Sequence, residues 1–310
     1  TEALIAIDVN SGKSTRERRV TDDDLAVLAR IEELRYPPEA PRVPFPLADM
    51  YHGSRLGPKG FTRAHHLFLP RAIHSIASLW RNANGISNPR IRRMVVFLAE
   101  QAIWTMAVLN RFQPQGVKQV NKFLNGVYYV PSIHCEISPS YALAARGKRI
   151  ARAIAKLGPR PDTSMVSTGD CAAIPIPSAS IDYIFTDPPF GENIYYADLN
   201  FLVEAWHGVM TATANEAIVD QAKKKGVHEY QELMRRCFEE YHRVLKPGRW
   251  MTVVFSNSSN GIWRAIQEAM GTAGFVVADV RTLDKKQGSY RQVTSSAVKQ
   301  DLVISAYKPT

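Results

Sequence analysis

Asp187-Pro188-Pro189-Phe190 concentrates more chemistry in four residues than any other stretch of the chain. Each X-Pro bond drives the preceding residue out of the helical region, so Asp187 and Pro188 are held extended. Proline donates no hydrogen bond, and the corner therefore offers carbonyl oxygens and one carboxylate, all of them acceptors. Such a pocket suits a donor such as an exocyclic amino group. Phe190 adds a flat apolar face for an extruded base, and stacking of that kind is worth roughly 1–3 kcal/mol per base. The competing reading is a strand-ending turn with a chance pair of prolines.

The elements around this corner place it. Residues 181–186, Ile-Asp-Tyr-Ile-Phe-Thr, read as a buried strand, and residues 194–206 repeat apolar side chains at helical spacing. The corner would then lie at the carboxyl end of a strand, the edge at which open α/β sheets bind ligands. Downstream the pattern gives helices over 216–225 and 228–245, the second stopped by Lys246-Pro247-Gly248. A strand over 250–255, a helix over 262–273 and strands over 275–280 and 300–307 follow. The loop 283–298, rich in Lys and Arg, is read either as a cover over the opening or as a solvated hairpin tip. Upstream, 163–168 is apolar enough for a strand and runs into Gly169-Asp170, and 140–157 is helical. Short strands are expected over 126–131 and 133–136. Glu136, an acid at a strand end, suits either a ribose hydroxyl or a structural role.

Charge separates the chain into two parts. Between residues 42 and 160 stand 18 Lys and Arg against three acids (Asp49, Glu100, Glu136), whereas from 161 onward the count is 15 against 17. So lopsided a segment calls for an anionic partner, and nucleic acid is the natural one. Asp22, Asp23 and Asp24 open a helix over 21–34. A proline-rich, extended connection fills 36–60, a length more often functional than idle. Helical patterns cover 63–80 and 89–109. Their apolar stripes belong to a core, while Arg63, Arg71, Arg90, Arg92 and Arg93 are candidates for phosphate contacts, which position a protein on DNA without reading sequence. His65, His66 and His74 lack the companion spacing of a metal site, and no metal is expected. Cys135, Cys171 and Cys237 are scattered, which fits a reducing cytoplasm. No run of about 18 apolar residues occurs, so no membrane partner is expected. Gly12-Lys13-Ser14-Thr15 has Ile7 where a phosphate loop needs its first glycine, and reads as a polar turn.

The Asp-Pro-Pro-Phe corner, preceded by Gly169-Asp170 and its strand, resembles the motif of S-adenosylmethionine-dependent amino-methyltransferases. Continued by Asn193-Ile194, Tyr196, Leu199-Asn200, Glu204 and Trp206, it looks like the large adenine-specific DNA methylases. The resemblance covers about 163–310. It implies an α/β, Rossmann-like methyltransferase sheet over 131–310, incomplete at its N-terminal side. Residues 1–130 would be a basic, mainly helical insert or target-recognition part. It implies methyl transfer from S-adenosylmethionine to N6 of a flipped adenine in DNA. Asp187 and the Pro188 carbonyl would accept from the amine, Pro189 would stiffen the corner, Phe190 would stack on the base, and Asp170 would lie beside the cofactor's adenine. One departure stands out: the family's glycine-rich cofactor loop is missing. It is expected in a segment upstream of Thr1 or on another subunit. Alternatives are a cytosine-N4 or RNA amino-methyltransferase, or a non-catalytic DNA-binding module.

Overall fold

The computed structural model describes residues 4–11, 14–51, 53–112, 128–157, 164–192, 194–257, 259–284 and 300–310. A hairpin of β1 (Ala6–Ser11) and β2 (Ser14–Arg19) leads into α1 (Asp22–Glu32). Thr21 caps α1 in a reciprocal box with Asp24, and Arg18 grips the same carboxylate at 2.6 and 2.7 Å. The proline-rich connection is more ordered than expected: it contains the short helix α2 (Gly53–Leu56) and a 3-10 turn at Gly57–Lys59.

Three longer helices follow, α3 (Pro70–Asn84), α4 (Pro89–Met106) and α5 (Pro139–Leu157). Both α3 and α4 begin on a proline, which needs no partner for the N–H it lacks. α4 stops at Met106 because the next residues pair with the stretch before α3, Val108 N–H donating to the Leu67 carbonyl at 2.8 Å. Residues 110–112 then run antiparallel to 133–135, with Cys135 N–H donating to Asn110 O at 2.7 Å. α5 therefore folds back along α4, and Arg146 Nη1 reaches the Gln101 carbonyl at 2.7 Å. The first core cluster is built from α3 and α4 with Phe45, Leu67 and Tyr128, and takes in Phe201, Leu202 and Trp206 from beyond the corner.

The second half is a four-stranded sheet with its helices. In chain order it holds β3 (Ile181–Thr186), α6 (Tyr196–His207), α7 (Val227–Val244), β4 (Leu245–Phe255), α8 (Asn260–Thr272), β5 (Val276–Asp284) and β6 (Gln300–Tyr307). The strand order is β3-β4-β6-β5. β3 and β4 are parallel, and β6 is antiparallel to both β4 and β5, so the expected antiparallel pair at the end of the chain is present. Ile184, Met251, Val253, Phe255, Ile304 and Ala306 face α7 and α8 in the second core cluster. The opposite face is bare where Tyr183 (54% exposed), Phe185 (66%) and Trp250 (45%) stand. β3 also forms an edge of the sheet among the described residues.

Several stretches depart from the sequence expectation, among them residues 133–136, which form no strand beyond a single bridge at His134, and residues 64–67, a 3-10 turn ahead of α3. Residues 216–225 form a loop instead of a helix. Residues 164–168 are irregular, with Met165 84% and Val166 95% exposed. Residues 128–130 are also irregular, held by the buried Tyr128, whose hydroxyl donates to Asp198 O at 2.5 Å. The rest of the strand expected over 126–131, and residues 285–298 of the basic loop, lie outside the described residues.

Candidate active site

Because β3 and β4 are parallel, their carboxyl ends open on one edge, and the corner lies there. Asp187 is exposed, Pro188 is buried, and Phe190 is half-buried. The following residue, Gly191, has φ +72, and a Cβ on it would lie 3.0 Å from Ile262 Cδ1 and 3.3 Å from Asn257 Nδ2. Only glycine fits such a turn without strain. Asn257, buried just past β4, donates from Nδ2 to the Phe190 carbonyl at 2.6 Å. Its Oδ1 accepts from Ser259 N–H at 2.7 Å, and its carbonyl accepts from Trp263 Nε1 at 2.8 Å. From α7, Tyr230 Oη donates to the Pro189 carbonyl at 2.6 Å. Two of the corner's acceptors are thus tied down, while the Pro188 carbonyl carries no hydrogen bond among the described residues. Phe190 meets Phe255 edge to face at 5.1 Å, and Phe255 meets Trp263 at 4.9 Å.

A buried polar layer backs the corner. Burial pushes up the Tyr196 hydroxyl, and the carboxylates of Asp187 and Glu216 add to the effect. Glu216 Oε1 accepts from Ala197 N–H at 2.9 Å, while Oε2 is buried without a hydrogen-bond partner among the described residues. Burial holds the Glu216 carboxyl above the usual carboxylate range. Lys223 Nζ bridges Asp198 Oδ1 at 3.0 Å and Asp220 Oδ2 at 2.7 Å, and all three side chains are almost wholly buried. Asp198 Oδ2 also accepts from Tyr51 N–H at 2.9 Å, and the Tyr51 and Tyr195 rings stack at 4.2 Å. The layer therefore joins the helical region to the first turn of α6. The same bonds explain the missing helix at 216–225. Lys225 Nζ donates inward to the carbonyls of Thr213 and Glu216, Asp220 and Lys225 pair across a turn, and Lys224 sits at φ +55. Specific buried contacts override local helical preference there.

Asp170 is brought to the same edge. Its oxygens accept from Ala172 N–H at 2.8 Å and Asn215 Nδ2 at 2.9 Å. Burial pushes the Tyr241 hydroxyl up, the adjoining Cys171 adds to the effect, and Thr186, the residue before Asp187, opposes it. Burial likewise pushes the neighbouring Cys237 thiol up to about 12. Elsewhere, Arg71 is ion-paired with Glu136, so Glu136 serves as a structural acid. Arg63 Nη1 donates to the Arg42 carbonyl at 2.8 Å. Arg90 and Arg93 are exposed in the first turns of α4, and Arg92 is half-buried, 3.5 Å from the Ile86 carbonyl. The antiparallel packing carries Arg149, Arg152 and Lys156 of α5 toward that same end, and all three are exposed.

Residue patterns alone point neither to these α5 cations nor to Tyr230, Glu216 and Lys223. Asn257 has a signal in the sequence, since Ser256-Asn257 ends a strand parallel to β3. Lys223 has the look of one of three solvated lysines. Among the described residues no group of His, Cys, Asp and Glu could hold a metal ion, and no helix is long and apolar enough to cross a membrane.

Residues 181–310 match the family model of the DNA methylases, a family spanning N6 and N4 enzymes. The matched region begins at β3 and ends with the chain, so it holds the corner, Tyr230 and Asn257. No curated protein matches the chain. Among solved structures, a candidate DNA modification methylase from Thermus thermophilus, complexed with S-adenosyl-L-methionine, is 17% identical with a TM-score of 0.29, covering 46% of this chain and 54% of that one. A S-adenosylmethionine-dependent methyltransferase from Methanosarcina mazei is 12% identical with a TM-score of 0.27, covering 52% and 76%. The chain spans about half the length of the Thermus structures it matches.

Proposed function

We propose that this chain holds the target-base site of a S-adenosylmethionine-dependent DNA methyltransferase that modifies adenine at N6. The observation that carries the reading is the acceptor-lined corner at the carboxyl ends of β3 and β4. Its Pro189 and Phe190 carbonyls are fixed from behind, Asp187 is exposed, and the Pro188 carbonyl accepts no hydrogen bond among the described residues. An adenine amine is a poor nucleophile because its lone pair is delocalised into the ring. Asp187 and the Pro188 carbonyl accept from its two N–H bonds and draw the lone pair out of conjugation, and positioning supplies much of the remaining acceleration. Phe190 stacks on the base and offsets the few kcal/mol of unstacking that flipping costs. Aspartate at the first position favours adenine, because the related cytosine enzymes more often carry serine there.

The cofactor would supply the electrophilic methyl group. Asp170 would take its adenine, while no glycine-rich loop follows a strand among the described residues. The open edge of β3 and the bare face beside it support a further strand-bearing segment, upstream or on another subunit, that carries such a loop. On this reading 1–130 serves target recognition and 131–310 catalysis. The cations at the free end of α4 and α5, together with Arg63, would grip phosphates. Methyl transfer from labelled S-adenosylmethionine to duplex DNA, with mass analysis of the released nucleosides, tests the proposal. N6-methyladenine is expected, and N4-methylcytosine would refute the adenine assignment. Asp187→Ala should abolish transfer and leave salt-sensitive DNA binding intact, and loss of both together would overturn the assigned roles.

A further inference from the structure

An open cleft of about 830 Å³ lies well apart in sequence from the corner, lined by Arg35, Tyr36, Arg42, Arg63, His65 and His66. Its walls are held by backbone pairing between residues 41–45 and 62–65. His65 N–H donates to Pro41 O at 3.0 Å, Ala64 N–H to Val43 O at 2.9 Å, and Phe45 N–H to Thr62 O at 3.0 Å. Arg63 adds its bond to the Arg42 carbonyl across the same seam. Among the described residues no carboxylate lines the cleft. Glu39, the acid in the connection that forms one wall, is held by Arg81 through two bonds of 2.6 and 2.7 Å. Neither Arg35, Arg42 nor Arg63 is ion-paired among the described residues.

The histidines supply a second, independent observation. His65 Nδ1 is buried with no hydrogen-bond partner among the described residues. Its ring meets Tyr36 edge-on at 5.5 Å and His66 at 4.4 Å. Buried polar atoms are seldom left unpaired, and those that are mark places where a ligand or water belongs. Guanidinium forks match the oxygens of a tetrahedral oxyanion, and three of them around one cleft suit a phosphate better than a lone carboxylate.

We infer that this cleft is a binding site for a phosphate group, taken from a nucleic-acid backbone or from a small phosphate in solution. No cleft residue belongs to the corner; Arg63 alone is shared with the phosphate grip proposed above, so the site stands apart from the methyl-transfer step. Burial lowers the His65 pKa, with His66, Arg42 and Arg63 adding to the effect and the Pro41 backbone opposing it. A bound anion would offset the three cationic neighbours and raise that pKa, so binding and protonation of His65 reinforce each other.

Ring-nitrogen NMR of His65 on the full chain, between about pH 5 and pH 8, provides the test. Inorganic phosphate, sulfate and a short DNA duplex are the probes. The His65 midpoint is expected to rise by about one pH unit at saturation. A rise with inorganic phosphate and sulfate supports a small oxyanion as ligand, and a rise with the duplex alone supports the backbone. No rise with any probe overturns the site. So does an equal rise in Arg42→Gln/Arg63→Gln or, should that variant fail to fold, in Arg35→Gln/Arg42→Gln. Because the readout is a histidine titration, the site can fail while the methylation reading stands, and the reverse.

Discussion

Lys223→Met isolates the buried charge layer behind the corner. The ammonium lies 3.0 Å from Asp198 and 2.7 Å from Asp220, in a setting that water barely reaches. Methionine replaces most of the hydrocarbon stem, so little cavity is left, and the loss is chiefly that of the cation. Breaking a buried pair by removing one partner costs about 3–5 kcal/mol, because the opposite charge stays behind. Asp198 keeps its bond from Tyr51 N–H and Asp220 keeps one from Ala222 N–H at 2.9 Å, which places the loss near the lower end, about 3 kcal/mol. At about 2–4 °C per kcal/mol the midpoint should fall by roughly 6–12 °C. In the parent, burial pulls the Lys223 pKa down, but Asp220 and Asp198 more than offset this and leave it raised. Its contribution is therefore complete below the ordinary lysine range and is lost only as pH climbs above it. Thermal and urea unfolding of parent and variant at neutral pH, followed by circular dichroism, gives the comparison. Adding Asp198→Asn and Asp220→Asn to Lys223→Met should recover most of the loss. A fall of under about 2 °C, or no recovery when the two asparagine substitutions are added, would refute this account of the layer.

Four further outcomes are expected. Asn257→Ala removes two side-chain bonds and strands the Phe190 carbonyl, so it should cost about 2 kcal/mol and lower methyl transfer by about 100-fold through misplacement of the corner, read from melting and single-turnover rates. Gly191→Ala forces a Cβ into the left-handed region against Ile262 and should lower stability by about 1–3 kcal/mol in urea titrations. Reversing Arg149, Arg152 and Lys156 to glutamate should weaken duplex binding and flatten its salt dependence, by about 0.9 in log–log slope for each phosphate no longer neutralised, as read by fluorescence anisotropy. Burial and Lys308 lower the His242 pKa. The unfolded chain therefore binds more protons as pH falls through the ordinary histidine range, and stability should decline there. His242→Gln should lessen that decline in melts across pH 5–7.

The half of the chain that makes the sheet is readable because its signals are local. An apolar run ended by two prolines can only be a strand stopping at a loop, and Lys246-Pro247-Gly248 can only end a helix. Contact between distant residues leaves no such mark. Tyr230 and Asn257 reach the corner from 41 and 67 residues away in sequence. Lys223 sits in a run whose composition predicts a helix, and it is the pairing with the distant Asp198 as well as Asp220 that makes burying it worthwhile. Residues 164–168 have the composition of a strand but pair with no strand among the described residues, and a strand without a neighbour leaves its backbone to water. Composition finds the arginines, yet it cannot tell that Arg71 is claimed by Glu136.

The aromatic wall formed by Tyr183, Phe185 and Trp250 borders a strand whose outer amides and carbonyls are unsatisfied by any neighbour in the sheet among the described residues. Such a border is an adhesive seam: at high concentration copies of the chain would join along it, and charged or proline substitutions in β3 would suppress that self-association. Colloidal behaviour thus becomes a gauge of assembly, because whatever caps the seam should also keep the chain dispersed.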